Sequence, residues 1–193
     1  MEIKNIIKKI KSKKSKIGII GMGYVGLPLA VLFSKKKFTV YGFDINKQKV
    51  NLLKKNKSYI RRIDNKKIKI INKKGKFFSS FEKITECDLI IICVPTPLKN
   101  NIPNLKYVKD ALVSIKNNIR NGHTIVLEST SYPGTTQDII IDKLKNKFTI
   151  GKDIFIGFSS ERINPGFNEN YISEIPKVLS GSSKSCLKVI ASY

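Results

Sequence analysis

The sequence predicts a doubly wound α/β fold, a parallel sheet covered by helices on both faces. Three observations carry this. Runs such as Leu89-Ile90-Ile91-Ile92-Cys93-Val94 lack the polar alternation of a half-exposed strand, so they read as strands buried on both sides. Between such runs lie stretches with apolar residues at helical spacing, which gives a strand–helix alternation along the chain. A glycine-rich turn joins the first strand to the helix that follows it. Right-handed crossovers then place helices on both sides of the sheet.

The elements follow in order. Ile3, Ile6, Ile7 and Ile10 stand at helical spacing among lysines, so the basic segment 1–15 is expected to hold a short amphipathic helix. That helix either packs on the domain or rests on a membrane surface. Strands are expected at Lys16–Ile20, Phe38–Phe43, Lys76–Ser79, Leu89–Val94, Thr124–Glu128 and Ile154–Phe158. Helices are expected at Val25–Lys35, Lys47–Lys54, Leu105–Asn118 and Thr135–Lys147, with a looser one across Ser58–Lys76. From Ser159 the chain reads as loop until a helix opens near Lys184. The domain thus runs over 16–183, and 184–193 reads as the start of a longer helix.

Composition narrows the function. A chain of 193 residues with 41% apolar content can bury a single core of ordinary size. No apolar run approaches the roughly 18 residues of a membrane span. Met1 to Lys16 lacks the continuous apolar stretch of a signal peptide, so the expected location is the cytoplasm. Cys87, Cys93 and Cys186 follow no metal-ligand spacing and no disulfide framework, and no metal is expected. The net charge of +23 is nearly all lysine, with Arg only at 61, 62, 120 and 162. A reader of nucleic acid would use more Arg for bidentate contacts. The abundance of Lys, Ile and Asn instead matches an AT-rich coding sequence, and no specific nucleic-acid partner is expected.

Gly21-Met22-Gly23-Tyr24-Val25-Gly26 fits G-x-G-x-x-G after a strand and at the start of a helix, the context that gives this motif meaning. Gly21 would permit the turn, Gly23 would let the backbone approach a pyrophosphate, and Gly26 would let helix and strand pack closely. The helix start offers unpaired N–H groups and partial positive charge to phosphates. Asp44 follows the second strand, 18 residues beyond Gly26, where a carboxylate accepts ribose hydroxyls and repels a 2′-phosphate. NAD is therefore the expected cofactor of a Rossmann-type domain.

Further motifs leave later strands: Val94-Pro95-Thr96-Pro97-Leu98, Glu128-Ser129-Thr130-Ser131-Tyr132-Pro133-Gly134-Thr135-Thr136, and Ser159-Ser160-Glu161-Arg162-Ile163-Asn164-Pro165-Gly166. Together with Gly21 to Ala30 they resemble the UDP-glucose/GDP-mannose dehydrogenase family. Ser58-Tyr59-Ile60 and Glu174 to Val178 are similar to its UDP-N-acetylglucosamine 6-dehydrogenase branch. The resemblance implies oxidation of a UDP-sugar's C6 alcohol to a carboxylate for surface polysaccharide synthesis. Such a reaction makes two hydride transfers to NAD, with a cysteine holding the carbon as thiohemiacetal and then thioester.

By the same resemblance, the residues from Gly21 through Gly26, with Asp44 and Lys49, hold the dinucleotide. Val94, Thr96 and Thr130 line its nicotinamide side. Thr130 and Glu161 order water and assist proton transfer, and Glu161, Arg162, Ile163, Asn164 and Pro165 meet the substrate. A hydroxyl and a carboxylate at neighbouring strand ends can share one water. Read without the resemblance, Thr130 caps a turn and Glu161 pairs with Arg162 or a lysine. Ser160 stands where the family usually has Pro, and Phe167 where it usually has Asp, which weakens the substrate loop's match.

The family's nucleophile sits in a Gly-Pro-Cys motif beyond a central helix and beside a second domain, and these 193 residues contain none of these. Cys93 reads as core, and His123, in Asn121-Gly122-His123, reads as a surface or turn residue. The expectation is a cofactor domain with little turnover alone, whose partner would be a separate chain carrying the cysteine half. A split or frameshifted reading frame and a partial record would both give such a chain. A non-catalytic NAD-binding remnant or interaction module is the alternative.

Overall fold

In the computed structural model, which describes residues 2–99, 102–160 and 177–193, the apolar runs become strands of one sheet. They are β1 (Lys16–Ile20), β2 (Thr39–Phe43), β3 (Lys76–Phe78) and β4 (Leu89–Ile92), then, after the hairpin of β5 (Leu98–Lys99) and β6 (Ile102–Pro103), β7 (Thr124–Leu127), β8 (Phe155–Ser159) and β9 (Leu179–Gly181). The order is β3-β2-β1-β4-β7-β8-β9, parallel except for β9, which runs antiparallel to β8. From β1 the chain winds out to β3 and then crosses back to β4. The carboxyl ends of β1 and β4 are therefore where connections diverge to opposite faces and leave a crevice.

Helices α1 (Ile3–Lys11), α2 (Gly26–Lys35), α3 (Lys47–Lys54), α4 (Asn65–Asn72), α5 (Lys106–Ile115), α6 (Asp142–Leu144) and α7 (Lys184–Ile190) cover the sheet. On one face Ile6, Ile10, Leu27, Ala30, Ile68 and Val189 share a core with the near side of β1 and β4. On the other, Val108, Leu112, Ile115 and Ile140 pack against the far side. Polar caps fix several starts. Asn46 accepts the Lys49 N–H at 3.1 Å for α3, and Asp64 accepts the Lys67 N–H at 3.0 Å for α4. Ser183 Oγ accepts the Cys186 N–H at 3.1 Å for α7, whose Cys186, Val189 and Ile190 enter the same core as α1. Ile6 and Ile10 are likewise buried, so α1 lays its apolar stripe on the domain.

Four expectations change. The helix expected across Ser58–Lys76 is confined to α4, because Asp64 caps a start at Asn65 and Ser58 to Ile63 forms turns with Ile60 and Ile63 buried. The helix expected over Thr135–Lys147 opens with π-helical turns at Thr136–Ile141 before α6. Ile139, Ile140 and Ile141 are all buried, and wider turns bring consecutive side chains closer to one face than an α-helix does. The loop expected after Ser159 includes β9, whose pairing with β8 is a main-chain interaction with little apolar signal.

His123, the fourth, lies in a turn as expected but is fully buried, not on the surface. Its Nδ1 accepts the Arg120 N–H at 3.3 Å. The Arg120 guanidinium donates to the carbonyls of Thr85 and Cys87 at 2.7 and 2.9 Å. Close by, Asp88 accepts the Lys16 N–H at 2.9 Å and pairs with Lys9 at 2.7 Å, tying α1 and β1 to β4.

Burial, followed by the Arg120 charge, lowers the His123 pKa to about 4. The unfolded chain therefore takes up a proton near pH 6.5 that the folded chain refuses until near pH 4. Stability should fall as pH drops through that window and level off below it, by up to ~3 kcal/mol. Denaturant melts from pH 8 to 4 will check this: His123→Asn should flatten the dependence, whatever it costs in absolute stability.

Candidate functional site

The turn between β1 and α2 is dictated by close contact. Gly21 has φ +94°, and a side chain there would reach the Cys93 carbonyl oxygen at 2.6 Å. A Cβ on Gly26 would lie 1.9 Å from the Gly21 carbonyl oxygen, so strand and helix can approach only through glycine. Among the described residues, a Cβ at Gly23 would meet nothing within 4 Å. The protein's own packing therefore places no demand for glycine at 23, and the open space lies on the cleft side of the turn. Val25, at the N-cap of α2, makes no side-chain cap bond, so the helix start presents its amides outward.

Asp44 lies directly against this turn. Its Oδ2 accepts the Met22 N–H at 2.9 Å and its Oδ1 accepts the Asn46 N–H at 2.9 Å. The acid one strand away and the start of the first helix thus form one unit. On the other side of the crevice, Ser129 Oγ donates to the Val94 carbonyl at 2.8 Å and links the exits of β4 and β7.

Between them runs a cleft of about 790 Å³, a size that suits a cofactor. Of the residues singled out from sequence, Gly21, Gly23, Tyr24, Val25, Asp44, Lys49, Val94, Thr96 and Thr130 all line it. Met22 and Gly26 sit behind the wall. The Met22 side chain is fully buried and packs on Gly42 of β2, leaving only its peptide groups to act on the loop. Glu161, Arg162, Ile163, Asn164 and Pro165 lie outside the described residues.

Sequence reasoning missed other parts of the wall. Phe81 and Ile45 make one end apolar, and Tyr107, Ala111 and Ser114 contribute one face of α5. The spacing of these last three fits a helical stripe, but nothing local says that the stripe faces a cleft. At the far end Glu128, 4% exposed, pairs with Lys177. The cysteines are buried. Burial, then the charge of Asp88, pushes the Cys87 thiol up to about 12, away from nucleophilic use. Among the described residues no three His, Cys, Asp or Glu are grouped to hold a metal, and no helix is long and apolar enough to cross a membrane.

A glycine turn, an acid at the end of β2 and a cleft at the switch point define a Rossmann-type dinucleotide-binding domain. Comparison with known proteins makes this particular. The family model described as the UDP-glucose/GDP-mannose dehydrogenase family, NAD binding domain, matches residues 15–192, and the chain belongs to this family. It is 36% identical over 184 residues to a UDP-N-acetyl-D-glucosamine 6-dehydrogenase of Pseudomonas aeruginosa, covering 93% of this chain and 43% of that one. Its counterpart from Salmonella typhi is 38% identical over 178 residues, covering 91% and 41%. The native structure of the UDP-N-acetyl-mannosamine dehydrogenase Cap5O from Staphylococcus aureus superposes with a TM-score of 0.83 at 31% identity, covering 90% of this chain and 43% of that one. The chain spans about two fifths of the length of the curated relatives it matches. NAD is the cofactor of this domain.

The two glycines should separate binding from folding. Gly23→Ala adds a methyl into open space, so the unfolding midpoint should barely move while NAD⁺ affinity falls at least about tenfold. Gly26→Ala should lower the midpoint by several degrees. Calorimetric titration and thermal melts of both variants will check this.

Proposed function

We propose that the chain is the cofactor-holding part of an NAD-dependent nucleotide-sugar 6-dehydrogenase acting on a UDP-N-acetylhexosamine. What supports this best is the continuity of one cleft from Asp44 and the open side of Gly23 to Val94, Thr96 and Thr130. That cleft can hold an extended dinucleotide with its two ends in different surroundings. The relatives named for UDP-N-acetyl-D-glucosamine support the substrate class.

In this reading the amides at the start of α2 receive the pyrophosphate, and Asp44 accepts the adenosine ribose hydroxyls while keeping its bond to Met22. Lys49, on the same wall, adds positive charge near the phosphates. Bound NAD⁺ supplies the hydride acceptor. Val94 and Thr96 exclude water beside it, and the exposed Thr130 hydroxyl stands at the exit of β7, where it can hold the water that hydrolyses the thioester after the second oxidation. Glu161 to Pro165 are assigned to the substrate by resemblance. Each of the two oxidations moves one hydride and releases one proton; hydrolysis then takes the second carboxylate oxygen from water, frees the thiol and releases a third proton. The covalent step belongs to a cysteine that a further polypeptide segment would contribute.

The expected outcome is NAD⁺ binding by this chain with no NADH formed from UDP-N-acetylglucosamine until a polypeptide bearing a Gly-Pro-Cys segment is added. Absorbance at the NADH band checks turnover. No NAD⁺ binding at millimolar concentration would remove the proposal, and turnover by the chain alone would remove its claim to need a partner. Binding without turnover, even with the added segment, would favour a non-catalytic module. Asp44→Asn should weaken NAD⁺ by about tenfold and narrow its advantage over NADP⁺, because the repulsion of a 2′-phosphate goes.

A further inference from the structure

We propose that Tyr59 is a positioning residue for the dinucleotide, holding the glycine turn in its binding shape from behind; this rests on the NAD-binding reading above. The Tyr59 hydroxyl donates to the Met22 carbonyl oxygen, a contact across 37 residues of sequence. The preceding peptide is held by Asp44, which accepts the Met22 N–H. Two successive peptide planes in the turn therefore each have a fixed direction.

The second plane carries the consequence. In a planar trans peptide the carbonyl and the following N–H point in opposite directions. A phenol drawing the Met22 carbonyl towards Tyr59 turns the Gly23 N–H away from Tyr59. Gly23 borders the cleft, while Tyr59 packs against the core cluster beneath it. The amide on the open side of the turn is thus aimed before any ligand arrives, which spares binding the cost of ordering it.

Tyr59 is itself well held. Ile60 and Ile63 are buried, Ser58 Oγ accepts the Ile60 N–H at 3.1 Å, and the Ser58 N–H donates to Asn65 Oδ1 at 2.8 Å. The Lys49 ammonium lies 5.4 Å from the centre of the Tyr59 ring. Burial, with the nearby Asp44 charge, raises the phenol's pKa, so the hydroxyl keeps its proton at any working pH. Phenylalanine would keep the ring and its packing and lose only the donor.

The test is Tyr59→Phe in the full chain, titrated with NAD⁺ and, without nucleotide, followed by site-resolved amide exchange and thermal melting. One hydrogen bond acting through the loop should cost about 3- to 10-fold in NAD⁺ affinity and speed exchange at Gly23 and Tyr24. Affinity within twofold of the unaltered chain, with Gly23 exchange unchanged, overturns the role. So does a lower melting midpoint with affinity preserved, which would make Tyr59 a prop for folding alone. If the unaltered chain binds no NAD⁺, the cofactor reading falls and this role with it; if it binds and the variant binds equally, this role alone falls.

Discussion

The contact between Gly26 and the Gly21 carbonyl is the constraint on which the molecule's architecture turns. No side chain fits between them. The start of α2 is thereby pressed against the end of β1, and the helix leaves the sheet at a place set by backbone geometry. Once that direction is fixed, the pairing of β1 with both β2 and β4 brings Asp44 and the exit of β4 to either side of the same turn. The cleft is a by-product of this packing: the sheet cannot close over the point where its connections part. A looser turn would still permit the strands to pair, but it would not direct the helix start into the crevice.

The two ends of the cleft are built differently. At the Asp44 end the critical contacts join residues near a single turn, mostly through backbone amides, so the shape follows directly from folding β1, α2 and β2. At the Thr130 end the wall gathers strand exits distant in sequence. Ser129 bridges to the Val94 carbonyl, and Glu128 of the same exit reaches Lys177, 49 residues on. Glu128 is almost wholly buried, and a carboxylate in that position is stabilised by its charged partner at a desolvation cost that only good geometry offsets. Order at this end is therefore more dependent on how later segments dock.

This difference also explains what could be read from the sequence. The parallel strands were legible because burial on both faces leaves them apolar throughout, and α3 matches its expected Lys47–Lys54 bounds because an Asn precedes it and lysines ring its exposed side. The glycine turn and Asp44 were legible because their chemistry is local. Tyr59 was visible only as part of a family-like segment, since nothing near it announces a bond to Met22. Ile60 and Ile63 misled in the other direction: their spacing suits a helix, yet they are buried within turns that end before Asp64. Strand β9 carries a serine and an exposed leucine, and its existence depends on main-chain pairing that side-chain pattern does not encode.

The lysine excess separates composition from design in the same way. Most lysines lie on exposed surface, where any cation suffices and each ion pair adds little. Arg120 is different. Its fork reaches the carbonyls of Thr85, Cys87 and Asn121 and approaches Asp88 at 3.5 Å, a set that a single ammonium could not satisfy at once. An arginine at such a position, in a chain that otherwise favours lysine, stands where geometry outweighs charge. It secures the amino-terminal edge of the sheet, at the opposite end from the cleft. The strands are thus tied together at one end, and at the other their connections diverge and leave the cleft open.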